Sequence, residues 1–186
     1  LHQLKCRVEQ CKLCTDLVKS RILYAYGKPT FGYGNIDSKI MFIGEAPGHL
    51  GCGRTGKPFY GDRSGDLYFK VLKDVELDYE DVYSTNVVKC CPLNNRTPTT
   101  SEVENCRRWL EIELELVNPK VIVALGRLAA RWFKKEQALS TLLFKEFKWK
   151  NYVLLIAYHP AFILRLGPQA IPPYIGSFKY IKKMLD

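Results

Sequence analysis

Four short apolar runs, each closed by a glycine or a polar residue, constrain this chain more than any other feature. They are Lys39-Ile40-Met41-Phe42-Ile43 before Gly44, Val82 to Val88, Lys120 to Leu125 before Gly126, and Tyr152 to Ala157 before Tyr158-His159-Pro160. Runs of this length, bounded by turn residues, suit buried strands. Helical spacing appears between and around them: Leu4 to Arg21, interrupted or capped by a cysteine pair, then Gly65 to Leu72, Glu102 to Val117, Arg127 to Lys135, and Ser177 to Leu185. Thr100 and Ser101 lead into the longest of these, which begins like a capped helix. Parallel strands need crossover connections, and helices are the usual ones. The pattern therefore predicts an α/β fold, a three-layer α/β/α sandwich around a central, mainly parallel four-stranded sheet. Ligands of such sheets bind outside the carboxyl ends of the strands. Gly44-Glu45, Asn86 and His159 all fall on that rim.

The length of 186 residues, without a repeat, a low-complexity tract or a break in composition, predicts a single domain over residues 1–186. Apolar residues at 47% and charged residues at 25% exclude a disordered, collagenous or coiled-coil chain. No apolar run approaches the roughly 20 residues of a membrane helix, and the first residues carry no secretory core. A cytoplasmic protein without membrane contact is expected. Lys and Arg number 28 against 19 acids, a net charge of +9. That excess favours a polyanionic partner, nucleic acid first, although solubility alone also accounts for it.

Seven cysteines, with no leader, argue for metal ligation over disulfides. Cys11-Lys12-Leu13-Cys14 is a C-x2-C pair, and Cys90 and Cys106 lie far downstream. No second C-x2-C pair is present, so a zinc ribbon does not fit. Four such thiolates suit an iron–sulfur cluster or a structural zinc, and the spacing does not choose between them. Buried apolar cysteines are the plainer alternative.

The segment after the first strand reads Gly44-Glu45-Ala46-Pro47-Gly48 and continues through Lys57-Pro58-Phe59-Tyr60-Gly61-Asp62 to Gly65. Glycine after a strand lets the backbone turn and approach a ligand. A carboxylate there can orient water or stabilise a developing cation. Phe59 offers a flat ring to a base, with an ordinary core position as the alternative. The stretch lacks the Gly-Lys-Ser/Thr order of a phosphate-binding loop.

Taken together these segments resemble the uracil-DNA glycosylase superfamily, in particular its iron–sulfur families 4 and 5. The resemblance covers most of the chain. It runs through Cys11-x2-Cys14, Gly44-Glu45-Ala46-Pro47-Gly48, Lys57-Pro58-Phe59-x-Gly61, Thr85-Asn86-Val87-Val88-Lys89-Cys90, Asn95-Arg96-Thr97-Pro98, Glu102-x3-Cys106 and His159-Pro160. It implies that Cys11, Cys14, Cys90 and Cys106 hold a structural [4Fe–4S] cluster, leaving Cys6, Cys52 and Cys91 out. It also implies a flipped uracil seated against Gly44 and Ala46 and stacked on Phe59. Asn86 would read its O4 and N3–H with an amide that both accepts and donates. His159 would hydrogen-bond to O2 as negative charge grows on the departing base.

Two acids compete for the water. The family 4 pattern points to Glu45; family 5 enzymes carry an apolar residue there and point to Asp62. Helix capping is the plainer role for Asp62. The acid that excludes thymine in family 4 aligns with Gly51, so a roomier pocket admitting other deaminated bases, such as hypoxanthine or xanthine, is expected. Phe162, Leu164 and Arg165 match an intercalation loop that wedges the duplex and meets a phosphate. Further phosphate contacts are expected around Asn95-Arg96, whereas Arg107 and Arg108 read as a solvated helix face. The expected function is a monofunctional, water-using glycosylase of base excision repair, since no lysine in a matched motif is placed as nucleophile. It would act as a monomer on DNA containing uracil, in an archaeal or thermophilic bacterial cell. A sliding clamp is a conceivable partner, but no segment marks its contact. The alternatives are a non-catalytic Fe–S or zinc protein that binds damaged DNA, and a phosphohydrolase, the latter lacking a metal-binding carboxylate cluster.

Overall fold

The computed structural model describes residues 2–23, 29–135 and 137–185. The strands in chain order are β1 (Tyr33–Gly34), β2 (Ile40–Gly44), β3 (Tyr83–Asn86), β4 (Val121–Leu125), β5 (Glu146–Trp149) and β6 (Tyr152–Ala157). They form one six-stranded sheet in the order β1-β3-β2-β4-β6-β5. The four expected strands are its parallel centre, β3-β2-β4-β6. The expected strand count of four is corrected to six, because β1 and β5 add short antiparallel edges. β1 has two residues, and β5 alternates exposed and half-buried positions. Neither carries the continuous apolar run of a buried strand.

The helices are α1 (His2–Glu9), α2 (Thr15–Leu23), α3 (Cys52–Thr55), α4 (Arg63–Asp74), α5 (Thr100–Val117), α6 (Arg127–Phe133), α7 (Leu139–Leu142), α8 (Pro160–Leu166), α9 (Ile171–Gly176) and α10 (Lys179–Lys183). The period of two along each strand splits the core into two layers. Met41 and Ile43 face one side with Ile122, Ala124, Leu154 and Ile156, beneath Val8, Leu17, Trp109, Leu110 and Trp132. Ile40 and Phe42 face the other with Val121, Val123 and Leu155, beneath Leu67, Val71, Ile163, Ile175 and Ile181. This is the expected three-layer sandwich.

Local signals account for most boundaries. α5 starts two residues earlier than expected, with Thr99 as its N-cap: the Thr99 hydroxyl accepts the Glu102 N–H and the Glu102 carboxylate accepts the Thr99 N–H. The helical stretch over Leu4 to Arg21 is interrupted at the cysteine pair, as expected, giving the two helices α1 and α2. The segment expected as an intercalation loop is instead helix α8, capped by His159 with Pro160 in its first turn. Its fixed φ suits helix entry. Among the described residues, no helix is long and apolar enough to cross a membrane.

Candidate active site

A cavity of about 490 Å³ opens where the carboxyl ends of the central strands meet. Glu45, Phe59, Asp62, Asn86, His159 and Arg165 all line it, so the expected rim exists as one site. Gly44 pairs in register with Asn86 and packs directly behind the Asn86 and Phe59 side chains. A Cβ on Gly44 would lie 2.5 Å from Asn86 Oδ1 and 2.8 Å from Phe59 Cζ. Glycine is therefore required there, because the pocket's back wall is a backbone in contact with two side chains. Phe59 stacks at a tilt on Tyr68, with ring centroids 4.5 Å apart, and lies 5.9 Å from the His159 ring. Asn86 is buried, and its Nδ2 faces Cys52 Sγ at 3.8 Å. Ala46 is half-buried at the mouth.

The two acids differ in what holds them. Asp62 is the N-cap of α4: its Oδ1 accepts the Gly65 N–H at 2.9 Å and the Ser64 hydroxyl at 2.6 Å. Its Oδ2 packs against Gly51, where a Cβ would stand 2.2 Å away. The space left by the glycine at position 51 is thus filled by the Asp62 carboxylate. Glu45 has no capping duty. Burial pushes its carboxyl above the usual carboxylate range, against the opposing pull of the Thr97 hydroxyl, Arg127 and Arg165.

The state of His159 follows from its contacts. Its Nδ1 accepts the Ala161 backbone N–H at 3.2 Å. A neutral imidazole that accepts at Nδ1 carries its proton on Nε2 and can donate there. Burial lowers its pKa to about 4, against the opposing charge of Asp62 and with the help of Arg165. At neutral pH the ring is an uncharged donor.

Other expected contacts are redistributed. Phe162 stacks on Tyr158 at 4.9 Å, and Arg165 lies 5.7 Å from the Phe162 ring; both line the cavity. Leu164 instead packs half-buried against the core, while Leu166 at the end of α8 is 47% exposed. Arg96 is held by Glu102 through two bonds of 2.8 and 2.6 Å. Arg107 pairs with Glu104 and lies over Trp132, and Arg108 lies over Trp109, so neither is a merely solvated side chain. Thr97 and Cys52, assigned no role by the sequence, both line the cavity. Burial pushes the Cys52 thiol up to about 12, so it is not a nucleophile.

The four expected thiols lie in one region between α1, α2, α5 and the segment after β3. Cys90 and Cys106 are buried in the core layer that Cys11 and Cys14 pack against. Each sulfur faces an N–H donor. Arg21 Nη2 approaches Cys90 Sγ at 2.9 Å, the Lys89 backbone N–H approaches Cys106 Sγ at 3.4 Å, Asn105 Nδ2 approaches Cys14 Sγ at 3.5 Å, and Arg108 Nη2 approaches Cys11 Sγ at 3.9 Å. Against the opposing effect of burial, Trp109 also acts on the Cys11 thiol, as a hydrogen-bond partner that lowers its pKa, and Arg21 Nε, buried beside Cys90, completes no hydrogen bond to protein. Among the described residues, no three His, Cys, Asp or Glu side chains converge closely enough for a single metal ion. Four thiols ringed by N–H donors are chemically compatible with a larger thiolate-ligated cluster whose own sulfurs accept hydrogen bonds.

The aromatic ring of Phe59, the amide of Asn86, the neutral imidazole of His159 and the half-buried carboxylate of Glu45 thus meet in one cavity at the rim of a parallel sheet. Comparison with known proteins gives the family. The model of the uracil DNA glycosylase superfamily matches residues 31–179. The chain is 38% identical to the type-4 uracil-DNA glycosylase of Archaeoglobus fulgidus, across 95% of this chain and 89% of that protein. It is 37% identical to the type-4 enzyme of Thermotoga maritima, across 86% and 80%. It is 34% identical to the type-5 uracil-DNA glycosylase of Pyrobaculum aerophilum, across 83% and 80%. The chain belongs to the uracil DNA glycosylase superfamily.

Proposed function

We propose that this protein is a monofunctional uracil-DNA glycosylase that hydrolyses the N-glycosidic bond of a flipped deoxyuridine and leaves an abasic site. The observation that carries this reading is the convergence of Glu45, Phe59, Asn86 and His159 on one cavity. A base inside a duplex is out of reach of such a pocket, so the nucleotide must leave the stack. Phe59 then stacks on the uracil, and the Asn86 amide pairs with O4 and N3–H, where cytosine presents the opposite pattern. As the bond from the anomeric carbon to N1 breaks, its electron pair moves onto the base. The Nε2–H of His159 donates to O2 and stabilises the anion without transferring charge of its own. Glu45, as the anion, orients a water molecule toward the anomeric carbon and stabilises the positive charge growing there. Glu45 is favoured over Asp62 because one Asp62 oxygen already caps α4. Among the described residues no lysine lines the cavity, so the strand is expected to stay uncut.

Cys11, Cys14, Cys90 and Cys106 would hold a [4Fe–4S] cluster, which when bound supplies a structural cross-link and no electron to the reaction. Arg165 and Phe162 at the cavity mouth would meet the DNA backbone and the gap left by the flipped nucleotide. Hypoxanthine and xanthine are further candidate substrates, suggested by the type-5 resemblance. With Asp62 filling the space beside Gly51, their release is expected to be slower than that of uracil.

A duplex with one U opposite G tests the reading. Free uracil should appear, with the strand intact until alkali cleaves the abasic site. Purified protein should be brown, with broad absorbance near ~400 nm from thiolate-ligated iron. Tight binding of the duplex without release would instead define a damage-recognition protein.

A further inference from the structure

We infer that the buried ion pair Lys89–Glu113 is a positioning device for Asn86, fixing the residue that reads the base; this deepens the glycosylase reading and rests on it. Lys89 and Glu113 side chains are 1% and 0% exposed, and neither lines the cavity. Lys89 Nζ lies 2.5 Å from Glu113 Oε2, 2.7 Å from Thr85 Oγ1 and 2.6 Å from the Asn86 carbonyl oxygen. An ammonium has three N–H donors, and all are directed at this cluster at the end of β3. Glu113, on α5, is fully engaged as well. Its Oε2 also accepts the Thr85 hydroxyl at 2.8 Å, while Oε1 accepts the Gly32 N–H at 2.7 Å and the Tyr83 hydroxyl at 3.4 Å.

Stability alone does not account for such a pair, since well-packed apolar residues of similar volume often serve a core as well or better. What the pair does supply is a fixed direction. Among the described residues, the Asn86 amide is held only by the soft 3.8 Å contact to Cys52 Sγ, so its aim depends on the backbone that carries it. That backbone is clamped on both sides: Val87 and Val88 N–H donate to the Gly44 and Glu45 carbonyls, and Lys89 holds the Asn86 carbonyl. Lys89 also donates its backbone N–H to Cys106 Sγ. A single residue thus ties the base-reading strand end to the thiol region and, through Glu113, to α5.

The test is a double-mutant cycle on single-turnover uracil release, with wild type, Lys89→Met, Asn86→Ala and the double variant. Lys89→Met should slow release by roughly 10²-fold, as displacement of a recognition group does, while affinity for a duplex with a tetrahydrofuran abasic analogue stays at the wild-type level. In the Asn86→Ala background, Lys89→Met should produce no further loss. Lys89→Met paired with Glu113→Leu leaves no unpaired charge in the core. That variant should melt at or above the wild-type temperature and remain slow. Losses that multiply in the Asn86→Ala background, or a full rate in the apolar pair, would overturn the positioning role. Free-uracil binding by NMR titration separates the two readings. A wild type that binds uracil without releasing it from DNA overturns catalysis alone, and a Lys89→Met protein that binds uracil as tightly as wild type overturns the positioning role.

Discussion

Glu45 and His159 are shifted in opposite senses by the same burial: in the proposed mechanism the shift of His159 keeps the donor neutral, whereas that of Glu45 opposes the anion the mechanism needs. Glu45 acts there as an anion. Its carboxyl titrates above the ordinary carboxylate range, so the active fraction, and with it the single-turnover rate, should rise with pH through that raised value. His159, a neutral donor in the proposed mechanism, gains a proton only near pH 4, so no histidine step should interrupt the profile around pH 6.5. Glu45→Gln should lower the rate by about 10²–10⁴-fold and abolish the acidic limb; His159→Ala should cost about 10²–10³-fold while the limb remains. A rate–pH series on the three proteins checks both. At this scale the sequence was informative wherever a residue followed a strand, because the strand end itself fixes the location. Glu45, Asn86 and His159 were legible for that reason. Thr97 and Cys52 were not, since long loops bring them to the cavity and no local pattern encodes that return.

Secondary-structure elements place the remaining groups, and their ends matter more than their middles. Asp62 begins α4. Asp62→Asn keeps a capping oxygen and should retain both stability and most activity, whereas Asp62→Ala should lose about 1 kcal/mol in a thermal or urea melt. Gly51→Ala would press a methyl carbon on the Asp62 carboxylate, and Asp62→Ala in the same chain should relieve part of the resulting loss. The α1–α2 pair depends on its fastening to α5 and the segment after β3. Arg21 bonds the Cys11 carbonyl oxygen at 2.8 Å and Cys90 Sγ at 2.9 Å. Replacing Cys106 by Ser, or stripping iron with a chelator, should lower the melting temperature and make this N-terminal pair the first site of limited proteolysis. The main strands and α5 were legible from apolar runs and capping residues. The expectation of a loop at α8 rests on the family resemblance, whereas Pro160 in the first turn is itself compatible with a helix start. β1 and β5 escaped because edge strands need no buried face to be paired.

At the scale of the whole molecule, part of the positive charge behind the net +9 lies beside the cavity. Exposed Arg127, Arg131 and Lys135 line a groove of about 330 Å³ that shares Glu45 and Thr97 with the base pocket. On the proposed reading, a DNA strand whose nucleotide enters the pocket would run its phosphates along this groove. Affinity for duplex DNA should fall linearly in logarithmic terms with salt, and Arg131→Ala should reduce the slope by ~0.9, the value for one released phosphate contact, with the single-turnover rate unchanged at saturating protein. Fluorescence anisotropy across a salt series measures this. Composition pointed to a polyanion, but only the fold reveals that the cations of α6 and its following turn adjoin the catalytic rim.

The most direct measurement is the single-turnover release of uracil from a U·G duplex by wild type, Glu45→Gln, Asp62→Asn and His159→Ala, run side by side. Release by the wild type, nearly abolished by the first and third substitutions and largely kept by Asp62→Asn, is the predicted result. Release that survives loss of Glu45 but not of Asp62 would contradict the assignment of the water-orienting acid. No release by the wild type would contradict catalysis itself.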